Sequence, residues 1–231
     1  DQDDLWDRTK VEKMVNKIEH GYNLVYCDLK VIDVTGKVIS KSFHRLIGTD
    51  NLYTKDITKY LLFRNLTNGC SICFKRELVN DIVPFPDDII YDWWIMFKAS
   101  LKCKIGKLDE QLVDYRIHGS NAIGFQIINR DNKLKIDNIR KHLNSLTLFS
   151  KQKNILGCRQ YFNILFKFFN TRINFIKYKT NLIRYYLTSI ILLWHFPRLY
   201  KYIFKNVIED TLPKLYTILI KIWLKQKMKI Y

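Results

Sequence analysis

Tyr115-Arg116-Ile117-His118-Gly119-Ser120-Asn121 marks the point at which this chain changes character. Lys107 to Tyr115 reads as extended chain leading into the motif, and His118 to Asn121 reads as a polar loop. Upstream, short extended and helical segments alternate. Downstream, long helical patterns take over. The charge changes at the same place: Asp1 to Asn129 hold 18 Lys and Arg against 18 Asp and Glu, whereas the rest of the chain holds 21 basic and 4 acidic residues. The whole net charge of +17 thus follows Asn129. A neutral module over 1–124 joined to a basic region over 125–231 is predicted, and the two regions should meet different partners.

Working back from the motif, Asp92 to Leu101 places Trp93, Trp94, Phe97 and Leu101 at helical spacing, with Pro84 and Pro86 in the loop before it. Thr67-Asn68-Gly69-Cys70-Ser71-Ile72-Cys73-Phe74 is a glycine-led extended run, followed by a short helix from Lys75. Ile57 to Phe63 looks helical. Asn23 to Ile32 and Lys37 to Phe43 are strand-like around the turn Asp33-Val34-Thr35-Gly36, which predicts a β-hairpin. Before it, Val11, Met14, Val15 and Ile18 predict a helix over Trp6 to His20. Alternation of this kind is an α/β pattern.

Working forward, stretches such as Tyr161-Phe162-Asn163-Ile164-Leu165-Phe166-Lys167-Phe168-Phe169 interleave aromatics and aliphatics with Lys and Arg. The composition suits an amphipathic surface on anionic lipid, with Trp194 and Trp223 at headgroup level. It equally suits a helical subdomain that buries its apolar faces and leaves its lysines to water. The longest nearly uncharged stretch, Tyr185 to Phe196, has 12 residues, short of the ~20 needed to span a bilayer. No nucleic-acid-binding motif accompanies the charge, so nucleic acid is not an expected partner. The five cysteines are odd in number and scattered, which fits reduced thiols in a cytoplasm. Cys70 and Cys73 have the spacing of a zinc or redox pair but no matching second pair.

Chemistry concentrates in three places. Asp1, Asp3 and Asp4 crowd three carboxylates into four positions, which invites a divalent cation; a solvated acidic turn, or Asp4 capping the next helix, would use the same letters. Asp92 stands at the start of a helix beside two tryptophans. Arg116 and His118 sit in the motif quoted first, where Arg116 could pair with phosphate or with Asp114 or Asp92.

Taken in order, Asp1-Gln2-Asp3-Asp4-Leu5-Trp6, the hairpin from Tyr26 to Gly36, Asn68-Gly69-Cys70-Ser71, Tyr91-Asp92-Trp93-Trp94 and Tyr115 to Asn121 resemble the second half of family 2 GT-A glycosyltransferases, especially rhamnosyltransferase-like members. Tyr91 departs from the pattern, since relatives often carry His or Glu there. The resemblance implies an α/β fold: a partial, Rossmann-like GT-A acceptor-side half over 1–124, followed by a basic, mostly α-helical region. The nucleotide-binding half would precede Asp1, and this stretch alone is expected to be inactive. It further implies Asp92 as catalytic base, and Asp1 and Asp3 on the nucleotide sugar and on Mg²⁺ or Mn²⁺. His118 would complete the metal site or bind the diphosphate beside Arg116, and Gly69, Trp93, Trp94 and Asn121 would line the acceptor side. The implied function is inverting transfer of a sugar from a nucleotide-diphosphate donor to a glycan or lipid-linked acceptor in cell-surface polysaccharide synthesis. The expected location is cytoplasmic, peripheral at the inner face of the cell membrane. The alternative is a non-catalytic membrane-associated remnant or assembly partner. A two-carboxylate glycoside hydrolase fits less well, because the acids cluster instead of facing each other.

Overall fold

A computed structural model describes residues 3–50, 52, 57–118, 131–153 and 155–212. The chain forms two compact units, one of residues 1–125 with 141–162 and the other of 126–140 with 163–231. The division expected after residue 124 falls at the edge of the first unit, but 141–162 return to it. Leu146 and Phe149 explain the return: both are fully buried, and the Phe149 ring lies 3.9 Å from that of Phe97.

The first unit begins with a two-residue strand, β1 (Leu5–Trp6), and helix α1 (Lys10–Glu19). Next come β2 (Leu24–Ile32), β3 (Val38–Ser40), α2 (Phe43–Ile47), α3 (Ile57–Phe63), β4 (Ile72–Phe74), α4 (Val79–Ile82), α5 (Tyr91–Ser100) and β5 (Ile105–Arg116). Residues 24–32 read Leu-Val-Tyr-Cys-Asp-Leu-Lys-Val-Ile, too continuously apolar for a strand wet on one face, and β2 is buried along almost its whole length at the centre of a mixed sheet. The strand order is β1-β5-β2-β3, with β4 pairing β2 as well. β5 runs parallel to β2, while β1, β3 and β4 are antiparallel to their neighbours. The β2–β3 hairpin turns where expected: Asp33 Oδ1 accepts from the Thr35 and Lys37 backbone N–H groups, and Gly36 takes the left-handed φ of +87°.

The first helix starts later than expected, at Lys10 and not near Trp6. Leu5 and Trp6 instead pair in register with Asp114 and Val113, and the Asp7 carboxylate receives the Thr9 N–H and hydroxyl to turn the chain into α1. Met14 and Ile18 then pack on the sheet with Val25, Cys27, Leu29, Leu112 and Val113, while Val11 and Val15 stay exposed.

The second unit is helical. Helix α6 (Asn132–Ser150) begins in it, and α7 (Arg159–Tyr178), α8 (Leu182–His195) and α9 (Tyr200–Thr211) follow. Its core holds Leu165, Phe168, Phe169, Phe175, Tyr185, Leu192, Phe196 and Ile203. A polar knot lies inside that core. Arg172 donates through Nε to Asp210 Oδ2 at 2.6 Å, Tyr185 Oη donates to the same oxygen at 2.9 Å, and Lys135 pairs with Glu209 at 3.0 Å. Among the described residues, no helix is long and apolar enough to cross a membrane.

Candidate functional site

The antiparallel register of β1 on β5 is what brings the two ends of the first unit together. Leu5 lies opposite Asp114, so the residues before Leu5 run alongside those after Asp114. Asp4 Oδ1 accepts the Arg116 backbone N–H at 3.0 Å, and Asp3 Oδ2 meets His118 Nε2 at 2.5 Å across 115 positions of sequence. That hydrogen bond is the main reason the Asp3 carboxyl is held below its ordinary pKa. Asp4 is therefore not the cap of α1; it fastens the end of β5.

Among the described residues, Arg116 meets backbone carbonyls. Its Nε donates to the Asp3 carbonyl at 3.1 Å, and one terminal nitrogen donates to the carbonyls of Asp33 and Val34 at 3.1 and 3.2 Å. The guanidinium thus ties the start of the chain to the hairpin turn, and Asp114 pairs with Lys30 at 2.7 Å. Arg116 builds the site by holding backbone in place. Asp1 and Asn121 lie outside the described residues.

Asp92 occupies the second position of α5 and is only 4% exposed. Its Oδ1 accepts from Asn65 Nδ2 at 2.9 Å and from the Trp93 N–H at 2.7 Å, and the Gly69 backbone also donates to the carboxylate. Burial nevertheless raises its pKa, with those donors pulling the other way. A carboxyl raised in this way lies closer to the range that suits a general base.

The two tryptophans do not form a sugar-binding wall. Both are buried, with Trp93 Nε1 donating to the Leu61 carbonyl at 2.8 Å and Trp94 Nε1 to that of Ile82 at 2.7 Å. Phe149 stacks on Trp94 at 6.3 Å and meets Trp93 edge-on at 5.5 Å. Helix α5 is apolar nearly all round, which is the pattern of a helix covered on every side. Gly69 does not open toward an acceptor either, because a Cβ there would stand 1.9 Å from Tyr91 Oη and 2.6 Å from its Cζ. Gly69→Ala should push the ring of Tyr91, which is half-exposed and can turn toward water, aside at a cost of about 1 kcal/mol or less in chemical denaturation. Added to Tyr91→Ala, the same change should cost almost nothing, and equal costs in the two backgrounds would refute the clash.

Lys10 and Asn65 belong to the neighbourhood and were not singled out by sequence. Lys10 is buried, donates to the Cys70 carbonyl at 2.6 Å and lies 3.1 Å from the centroid of the Trp6 ring. Burial lowers its pKa. It shares the inward stripe of α1 with Met14 and Ile18, four and eight residues on, and that spacing was a readable signal. Asn65 left no comparable sign. Burial pushes the Cys70 thiol up to about 12, so it stays protonated, the opposite of what a thiolate ligand or redox nucleophile needs.

Among the described residues, no group of three or more His, Cys, Asp or Glu is placed to hold a metal ion. Asp3 and His118 bring one carboxylate and one imidazole side by side, hydrogen-bonded to each other. No protein-family model matches the chain, and none of the curated proteins matches it.

Proposed function

We propose that the first unit is the acceptor-side part of an inverting family 2 GT-A glycosyltransferase. It would move a sugar from a nucleotide-diphosphate donor to a glycan or lipid-linked acceptor in cell-surface polysaccharide synthesis, at the inner face of the cell membrane. The observation that carries the proposal is the Asp3–His118 contact, because it joins the acidic motif to the motif at the far end of the unit. Asp3 and His118, with Asp1 beside them in sequence, would hold a Mg²⁺ or Mn²⁺ whose contribution is Lewis-acid stabilisation of the departing diphosphate. Arg116 fixes the backbone carrying Asp3 through its bond to the Asp3 carbonyl. Asp92, oriented by Asn65 and the start of α5, would take the proton of the acceptor hydroxyl. The basic second unit would keep the protein at an anionic membrane surface.

Calorimetric titration of the full chain with Mn²⁺, with and without a nucleoside diphosphate, tests the metal pair directly. We expect binding strengthened by the nucleotide and weakened at least about tenfold in Asp3→Ala and in His118→Ala. Binding unchanged in both variants would remove the site. The burial of Asp92, Trp93 and Trp94 favours a second reading, a non-catalytic assembly partner. That reading gains if the chain binds neither Mn²⁺ nor nucleotide.

A further inference from the structure

Helix α8 buries a face that is largely polar and turns most of its aliphatic residues outward. Tyr185, Thr188, Ser189 and Leu192 are buried, and the first three are hydrogen-bonded: Tyr185 to Asp210, Thr188 Oγ1 to Thr171 Oγ1 at 3.0 Å, and Ser189 Oγ to the Tyr185 carbonyl at 2.8 Å. On the opposite side Ile183, Leu187, Ile190, Ile191 and Trp194 are exposed, Ile183 to 75% and Trp194 to 85%. Their positions follow the i, i+4, i+7, i+8, i+11 series of a single helix stripe. A helix covering a soluble core turns its apolar stripe inward, so the reverse arrangement marks an outward neighbour less polar than water.

The charge around this stripe has one sign. From Asn138 to Ile208 there is no Asp or Glu, against 13 Lys and Arg. The two acids that follow are engaged inside the unit, Glu209 with Lys135 and Asp210 with Arg172. Nucleic acid would answer the charge but would leave five aliphatic and aromatic side chains facing phosphate and water.

We propose that the outward stripe of α8 is a docking surface for an anionic phospholipid bilayer. The helix lies in the plane of the interface, with Ile183, Leu187, Ile190, Ile191 and Trp194 at the boundary of headgroups and acyl chains and Lys179 and Arg184 near lipid phosphates. At 14 residues the helix is ~21 Å long, short of the ~30 Å hydrocarbon core, so it rests on the bilayer and does not cross it. This deepens the membrane part of the proposed function and depends on that part alone.

Co-sedimentation of the full chain with vesicles of phosphatidylcholine, and of equimolar phosphatidylcholine and phosphatidylglycerol, tests it. The parent should partition onto the anionic vesicles, less so as salt rises. Ile190→Asp with Trp194→Asp, and independently Ile183→Asp with Leu187→Asp, should each reduce that partition by on the order of tenfold or more, with circular dichroism and the melting midpoint unchanged. A parent that ignores anionic vesicles would overturn both the membrane reading and the docking surface. A parent that binds while folded variants of both pairs bind equally well would overturn the docking surface alone. Variants that turn a dimer into a monomer on gel filtration without changing vesicle binding would assign the stripe to a second copy of this chain instead.

Discussion

Asp210→Ala should destabilise the helical unit by about 3–5 kcal/mol, because it removes one partner of a buried ion pair and leaves the other charge in place. Burial works against the charge on Arg172, and the Asp210 carboxylate more than offsets it, so the guanidinium pKa ends above its ordinary value. Without Asp210 that charge has the same burial and no counter-charge at 2.6 Å, and Tyr185 Oη loses its acceptor. The contrast lies in the double variant. Replacing Arg172 by Met and Asp210 by Leu removes both charges together, and exchanging a whole buried pair for apolar residues is commonly close to neutral. Chemical denaturation followed by circular dichroism should give a large drop for the single variant and recovery of most of it in the double. Equal losses in both would mean that what the two variants share, the lost acceptor of Tyr185 Oη and the lost contact with Lys135, sets the cost and not the unpaired Arg172 charge.

On the proposed reading, Asp92→Asn in a protein that also carries the nucleotide-binding half should cut sugar transfer roughly 100- to 10,000-fold, the usual worth of a positioned general base, and in the present chain it should remove the pH dependence that Asp92 gives to stability. The amide keeps an oxygen for Asn65 and the Trp93 N–H and removes a desolvated charge, while its NH2 has no lone pair for the Gly69 N–H. The pH dependence separates this from simple damage. Because the folded carboxyl titrates above its ordinary value of 3.8, the folded state holds the proton longer than the unfolded state does. The parent therefore loses stability as pH rises from that value through the raised one. In Asp92→Asn this loss disappears, so the difference between the two proteins should change across that window and flatten above it. Undiminished transfer by the variant would remove Asp92 as base.

Much of the first unit was legible because local chemistry dictates it. Asp33 to Gly36 carries turn residues whose side chains and left-handed glycine make the hairpin, Ile57 to Phe63 is helix as its pattern required, and Lys107 to Tyr115, expected as extended chain, lies within the longer strand Ile105–Arg116. β1 was not legible. Leu5-Trp6 is a two-residue apolar run whose only reason to extend is the free edge of β5, more than a hundred residues away. The tryptophans misled for a related reason: a short helix apolar on every side does not say which face a ligand meets, and Phe149, far downstream, supplies the cover. The acceptors that Arg116 finds in the described residues include the carbonyls of Asp3, Asp33 and Val34, and backbone carbonyls carry no letter in a sequence. Asp3 and His118 were both singled out, and their meeting follows from a register that neither motif contains.

That register also sets an order of assembly. Closing the 112-residue separation between Asp4 and Arg116 in one step would cost about 4 kcal/mol of loop entropy. Once β2 has paired with β5, only the short arc through α1 remains to be fixed. β1 pairs with β5 through Leu5 and Trp6 and is held further by the Asp4–Arg116 and Arg116–Asp3 bonds, and its opening would not require β2 and β5 to part. The carboxylate and imidazole at the tip would come apart in fluctuations that leave the remainder of the sheet intact, so their alignment has a lifetime of its own, separate from that of the fold.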